Sequence, residues 1–278
     1  MDPDELRVGE ETLRELRANP ELYLAEYSGK FGNVLNADDA ATLFGEYNQD
    51  PAKYRVAVHT AATWIRDELF RRALAETASE GRNRVVFTAG GNAAGKSTAL
   101  AVTGIAKRAQ VVFDSTFSNP EHAKRLIEQA IDAGKTVTVV HVSRPLAEIF
   151  AAMLDRAQRE GRVVTIEQLI GSHRGSAQAV RDLSREFEHN SSVEFVFLDN
   201  SALGAREGTI ELAAPQDYTE SRKRLYELLD HEYDAGRITE EIYRRIRGGD
   251  RGEPPSSPSG RGGSGGRSPQ AGITESSP

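Results

Sequence analysis

The sequence has no cysteine at all, which excludes disulfides and thiolate metal centres. It also lacks an excess of basic residues: 35 Lys and Arg stand against 42 Asp and Glu, a formal net charge of −7 with a pI near 5.5. A broad electrostatic attraction to nucleic-acid phosphates is therefore not expected, although a local basic groove stays open. No Asn-Lys-x-Asp run is present, which counts against a GTPase. No stretch suggests a membrane span, and Met1-Asp2-Pro3-Asp4-Glu5 lacks the basic-then-apolar order of a signal peptide, so a cytoplasmic location is the default expectation. Neither a nucleophilic triad, nor a His/carboxylate metal spacing, nor an aromatic-basic face for nucleic acid emerges. The 278 residues are 38% hydrophobic, enough for a packed core in one large α/β domain or two small ones.

What is present is a complete G-x-x-x-x-G-K-S run, Gly90-Gly91-Asn92-Ala93-Ala94-Gly95-Lys96-Ser97, followed by Thr98. Its flanks suit a phosphate loop: Arg84-Val85-Val86-Phe87-Thr88 reads as a buried strand, and Thr98-Ala99-Leu100-Ala101-Val102 can open a helix. In such a loop the backbone N–H groups face the phosphates of ATP, Lys96 brings charge to the β and γ oxygens, and the Ser97 hydroxyl can ligate Mg²⁺. The pattern points to nucleoside triphosphate binding and leaves the reaction open.

Strand-like runs alternate with helical ones: Val85 to Thr88, Gln110 to Phe113, Thr136 to Val142 and Val193 to Leu198. Helix Pro120 to Ala133 starts after Ser118-Asn119 and stops at Gly134; helix Pro145 to Glu160 stops at Gly161. Ile166 to Glu188 reads as one long helix or as two broken near Gly171 and Gly175. This order predicts an α/β fold, a P-loop NTPase-like three-layer sandwich with a mainly parallel sheet. Residues 1–31 are expected to form a helical segment and 32–214 the phosphate-loop domain, within which 32–80 is a separate part. Residues 215–247 read as a helical hairpin suited to packing rather than chemistry. Residues 248–278, rich in Gly, Ser, Pro and Arg, read as a disordered tail.

Asp114 closes the run Val111-Val112-Phe113 and can hold Mg²⁺ near the loop, or simply cap a turn. The next residue is Ser115 rather than Glu, which counts against a motor-type ATPase with a water-activating base. Arg144, Arg156, Arg159 and Arg162 fall close together, and the last three are spaced to reach roughly one side, as a cationic lid over a transferring phosphoryl group or as a solvated face partnered by Glu160. Asp38 and Asp39 follow Val34-Leu35; either can take a proton from an acceptor hydroxyl, or the pair can serve as N-cap and first-turn acid of the next helix. His59 and His173, each isolated, read as structural.

Together these pieces resemble the zeta-toxin family of small-molecule kinases, over roughly residues 32 to 200. Gly90 to Thr98 looks like its phosphate loop, and Val111-Val112-Phe113-Asp114-Ser115-Thr116 like its strand ending in acid-Gly-Thr. Ala133-Gly134-Lys135-Thr136-Val137 is similar to its Ala-Gly-Tyr-x-Val step, and Arg156 through Gly161-Arg162-Val163-Val164 to its arginine lid. Leu35-Asn36-Ala37-Asp38-Asp39-Ala40-Ala41 resembles its apolar-Asp-x-Asp segment, but stands before the phosphate loop where the family has it after. That order implies a circular permutation, which requires Val34-Leu35 to lie beside the phosphate-loop sheet. A second departure is Ala41-Thr42 where a basic residue is usual. The resemblance implies an ATP- and Mg²⁺-dependent kinase that phosphorylates a hydroxyl of a small-molecule acceptor, a nucleotide sugar such as UDP-N-acetylglucosamine being one candidate. Asp38 is then the base, Lys96, Arg156 and Arg162 act on the phosphoryl group, and Ser97 and Asp114 hold the metal. It further implies a toxin with an antitoxin partner. The rival readings are a nucleotide-binding regulatory protein without transfer activity and a polynucleotide 5′-hydroxyl kinase, the latter disfavoured by the acidic pI.

Overall fold

Asp2 opens the first helix of the computed structural model, which describes residues 1–78 and 81–248. Its carboxylate accepts from the Glu5 amide at 2.8 Å, and the Glu5 carboxylate accepts from the Asp2 amide at 2.7 Å, a reciprocal cap on α1 (Pro3–Ala18). Next come α2 (Pro20–Phe31), the two-residue strand β1 (Val34–Leu35), short α3 (Ala37–Ala41) and α4 (Gly45–Gln49), and the long α5 (Pro51–Ala75). The expected phosphate-loop unit is β2 (Arg84–Ala89) followed by α6 (Lys96–Thr103), then β3 (Val111–Phe113). Beyond it run α7 (Pro120–Asp132), β4 (Thr136–Ser143), α8 (Leu146–Glu160), α9 (Ile166–Glu186), β5 (Val193–Asp199), β6 (Arg206–Gly208), α10 (Thr219–Asp234) and α11 (Glu240–Arg247).

The strands form one sheet in the order β1-β3-β2-β4-β5-β6, all neighbours parallel except the β5–β6 pair. Each central strand alternates between two apolar layers. Val85, Phe87, Val111, Phe113, Val137 and Val139 pack with α5, α7 and the second half of α9, whereas Val86, Val112, Val140 and Val142 pack with α6, α8, α10 and α11. Both faces are covered, so the strands read as continuous apolar runs rather than as half-polar ones. The fold is thus an α/β three-layer sandwich of the P-loop NTPase type, with a helical amino-terminal part and a helical hairpin, α10 and α11, near the other end. Among the described residues no helix is long and apolar enough to cross a membrane.

Val34 and Leu35 pair in parallel with Val112 and Phe113, so the segment that precedes the loop in sequence lies in the same sheet, at its edge. Ile166–Glu186 is one helix. Gly175 does not break it but lets Ser118 approach, because a Cβ there would stand 2.8 Å from the Ser118 carbonyl oxygen. Beyond Gly248, the tail expected over 248–278 lies outside the described residues.

His141 on β4 is buried at 3% exposure, and its Nδ1 has no partner among the described residues. Burial, helped by the nearby His173, pulls its pKa from 6.5 to about 4. The folded chain therefore holds it neutral while the unfolded chain takes up a proton below pH 6.5. Its contribution to stability is complete above pH 6.5 and is lost as pH falls toward about 4, on the order of 3 kcal/mol. Urea midpoints at pH 7.5 and 4.5 check this: the fall between them should shrink in His141→Gln.

Candidate active site

The loop between β2 and α6 takes backbone conformations that its glycines supply. Gly90 has φ +143° and Gly95 φ +82°. A Cβ on Gly90 would stand 2.6 Å from the Val142 carbonyl oxygen, and one on Gly95 would meet the Asn200 side-chain amide. Gly90→Ala should accordingly weaken ATP binding by about tenfold or more, through strain and collision in a loop that must hold its shape. Calorimetric titration with ATP and Mg²⁺ measures it, with a circular dichroism spectrum as the check on folding.

Three neighbours buttress the loop, and sequence reasoning missed two of them. Fully buried Asn200, just past β5, donates from Nδ2 to the Ala94 carbonyl at 2.8 Å. From α9, Ser172 Oγ accepts from the Asn92 amide at 3.1 Å, and the His173 backbone packs on Gly91. The His173 side chain is buried, its Nδ1 shares a 2.8 Å hydrogen bond with the Tyr218 hydroxyl, and burial lowers its pKa. Among the described residues Lys96 Nζ makes one long contact, 3.5 Å to the Gly90 carbonyl. The Ser97 and Thr98 side chains are exposed at the start of α6.

On the other side of the loop, Asp114 at the end of β3 is buried at 8% exposure. One of its oxygens accepts from Thr88 Oγ1, and the other from Asn36 Nδ2 at 2.7 Å. Asn36 also caps α3, its Oδ1 accepting from the Asp38 amide at 2.7 Å. That corrects the expectation that Asp38 or Asp39 is the cap: both lie in the first turn, where the helix dipole favours acids. Tyr27, buried, fixes the approach to this turn by donating to the Val34 carbonyl at 2.8 Å and accepting from the Asn36 amide at 2.7 Å.

Asp38 is ion-paired with Arg162, so the two sequence candidates farthest apart in the chain meet at one edge of the site. Of the three lid arginines, Arg156 and Arg162 share a side, reaching Glu160 at 2.9 and 3.8 Å, whereas Arg159 pairs with Asp155 instead. Gly161, with φ +65°, ends α8 and turns Arg162 toward α3, while Arg156 binds Glu160 at 2.9 Å and Arg159 binds Asp155 at 2.7 Å in solvent. Only Arg162 reaches an acid of the amino-terminal segment. Asp39 has its carboxyl pKa pushed up, first by burial and then by the charges of Asp114 and Asp38.

Beside the loop on the β4–β5 side lies a cavity of about 450 Å³, lined among others by Arg144, His173, Asp199, Ser201 and Arg224. The hairpin, expected to suit packing rather than chemistry, also contributes wall to this cavity through Arg224 of α10. As for a metal, no group of three acidic or histidine side chains could enclose one among the described residues. The exposed Ser97 hydroxyl, together with Asp114 whose two oxygens each accept only one hydrogen bond, fits a magnesium ion held largely by phosphate oxygens and water.

A family model described as Zeta toxin matches residues 103–212. The matched stretch contains Asp114, Arg156 and Arg162; the phosphate loop and Asn36–Asp39 precede it. A solved structure, from the PezAT chromosomal toxin-antitoxin system of Streptococcus pneumoniae, is 8% identical, covers 86% of this chain and 99% of its own, and has a TM-score of 0.42. No curated protein matches.

Proposed function

We propose that this chain, zeta-toxin-like across residues 103–212, is an ATP- and Mg²⁺-dependent phosphotransferase acting on a hydroxyl of a small molecule. The observation that carries the reading is Asp114, bound at once to Thr88 of the phosphate-loop strand and to Asn36 of the acidic turn. One carboxylate thereby joins the place where a donor's phosphates sit to the place where an acceptor hydroxyl is deprotonated. Ser97 and Asp114 would hold magnesium, which would supply charge neutralisation on the phosphates. Lys96 and the loop amides orient the β and γ phosphates. Asp38 takes the acceptor's proton as its oxygen bonds to the γ-phosphorus and the β–γ bridging bond breaks to leave ADP. The guanidinium of Arg162, which neutralises Asp38 in the free chain, turns to the transferring phosphoryl group, and Arg156 is its second cation. The donor's nucleoside occupies the cavity beside the loop.

A nucleotide sugar such as UDP-N-acetylglucosamine is the first acceptor to test. A cytoplasmic setting, where ATP and such metabolites occur, and a neutralising antitoxin partner complete the reading. The test is transfer of labelled γ-phosphate to a panel of nucleotide sugars, nucleosides, dinucleotides and oligonucleotides. A phosphorylated small metabolite supports the proposal. ATP binding with no phosphate passed to any acceptor or to water supports a regulatory nucleotide-binding protein instead, a reading favoured by the closed Asp38–Arg162 pair.

A further inference from the structure

The hairpin of α10 and α11 lies wholly beyond the stretch that the family model matches, yet a short chain of contacts ties it to the phosphate loop. Tyr218, which opens α10, is buried, and its hydroxyl meets His173 Nδ1 at 2.8 Å. On the other side of the ring, His173 Nε2 stands 3.4 Å from the Arg144 carbonyl. A carbonyl can only accept, so in the neutral ring Nε2 carries the proton, Nδ1 is a bare acceptor and the Tyr218 hydroxyl donates to it. Both ends of the imidazole are thereby held, and with them the turn of α9 that touches the loop. A Cβ on Gly91 would stand 3.1 Å from His173 Cα and 3.2 Å from its Cβ, and the neighbouring Ser172 Oγ accepts from the Asn92 amide at 3.1 Å.

The rest of the loop is braced from elsewhere. The Thr116 carbonyl accepts from the Gly90 amide at 3.2 Å, the Val142 carbonyl crowds Gly90, and Asn200 holds Ala94, whereas Gly91 and Asn92 lean on Ser172 and His173. The hairpin does not need the Tyr218 hydroxyl for its bulk attachment. Leu225 and Leu229 of α10 share an apolar cluster with Ile149 and Met153 of α8 and Leu169 of α9, and the exposed pair of Arg222 with Glu167 adds little. A buried hydroxyl set into such a junction costs desolvation unless its bond is made, so the bond fixes geometry. The cavity beside the loop lies between His173 and the hairpin's Ser221, Arg224 and Leu225, so a ligand filling it touches both partners. We infer that Tyr218 is a positioning residue of the phosphate loop: acting through His173, it sets the α9 turn against Gly91 and Asn92, and the docked hairpin and a loop-bound nucleotide stabilise each other. Such coupling is reciprocal, because whatever the docked hairpin adds to ATP affinity, bound ATP returns to the docking of the hairpin. The inference rests on nucleotide binding at the loop and not on phosphoryl transfer.

The experiment uses the full chain, with a non-hydrolysable ATP analogue and Mg²⁺ as the probe and transfer from ATP measured in parallel. By calorimetry, Tyr218→Phe should raise the Kd of the analogue by about 5- to 50-fold. In transfer, the KM for ATP should rise by a similar factor and the KM for the acceptor should not. Tyr243→Phe is the control. It removes a hydroxyl of the same hairpin, one that donates to Asp230 at 2.7 Å within the hairpin itself, and should lower the unfolding midpoint while leaving the Kd unchanged. Hydrogen exchange supplies the reverse reading: the analogue should slow exchange of the amides of residues 226–233 in the unaltered chain, and Tyr218→Phe should abolish that slowing. If Tyr218→Phe does not fold, exchange in the unaltered chain decides. An unchanged Kd in folded Tyr218→Phe, an equal loss in Tyr243→Phe, or α10 exchange indifferent to the nucleotide each overturns the inference. Tyr218-dependent binding without transfer keeps the inference and rejects the kinase; transfer with an unchanged ATP KM in Tyr218→Phe does the reverse, and an unaltered chain that binds no ATP rejects both.

Discussion

Lys96→Ala should reduce transfer of labelled γ-phosphate by about 10³-fold or more while leaving the fold intact. The size follows from what Lys96 faces. Its ammonium has only a 3.5 Å contact with the Gly90 carbonyl, so its charge is free for the β and γ oxygens of a bound donor. The loop backbone is fixed at the Ala94 carbonyl by Asn200 and at the Asn92 amide by Ser172, which means that the alanine variant keeps the cradle and loses the charge. Little in the fold depends on the side chain, and the unfolding midpoint should move by no more than a few degrees. Transfer and midpoint together decide the matter. Undiminished turnover in Lys96→Ala would reject the assignment of the loop, whereas a collapsed midpoint would make the loss one of folding.

Much of this was legible in the chain because local rules agree there with the global fold. Gly90 to Ser97 is readable since a phosphate loop needs glycine at two strained positions, and those are Gly90 and Gly95 in the structure. The parallel sheet is readable since both of its faces are covered, which makes its strands apolar runs separated by capped helices. Val34-Leu35 is legible as a short apolar strand candidate from its residues, although two residues carry no periodicity of their own to fix their place in the sheet. What pattern could not supply are the partners contributed from a distance. Asn200 and Ser172 buttress the loop from residues that read as turn and helix interior. Arg156 and Arg162 share Glu160 as their spacing suggests, while Arg159 departs to Asp155; what spacing alone missed is Gly161, whose left-handed conformation turns Arg162 toward Asp38. Arg55 shows no signal in sequence; it comes within 3.9 Å of Asp38 only when α5 is laid against α3. Asn36 did carry a signal, an Asn followed by two acids at a helix start, but a second role as donor to Asp114 is visible only once β1 and β3 are paired.

Asp38→Asn should lower transfer by about 10²- to 10⁴-fold with ATP affinity retained, because it keeps the size of the side chain and removes the proton acceptor. Its neighbour provides the control that separates a base from a charge. Asp39 has its pKa raised by burial and by the charges of Asp114 and Asp38. A raised folded-state value means that the group favours folding at low pH and that this advantage is lost as pH rises through it, so at neutral pH the ionised Asp39 is a net cost to the folded chain. Asp39→Asn should therefore raise the thermal midpoint at pH 7, and the gain should be smaller at pH 4, because the raised pKa lets the carboxyl take up its proton as pH falls. Asp38, held by Arg162, should show no such gain: Asp38→Asn leaves that guanidinium without its acid and should lower the midpoint slightly if at all. Midpoints at the two pH values, read beside transfer rates, give each aspartate its own signature. Rapid transfer in Asp38→Asn with loss in Asp39→Asn would move the base one residue along α3, to the carboxyl whose surroundings already favour holding a proton.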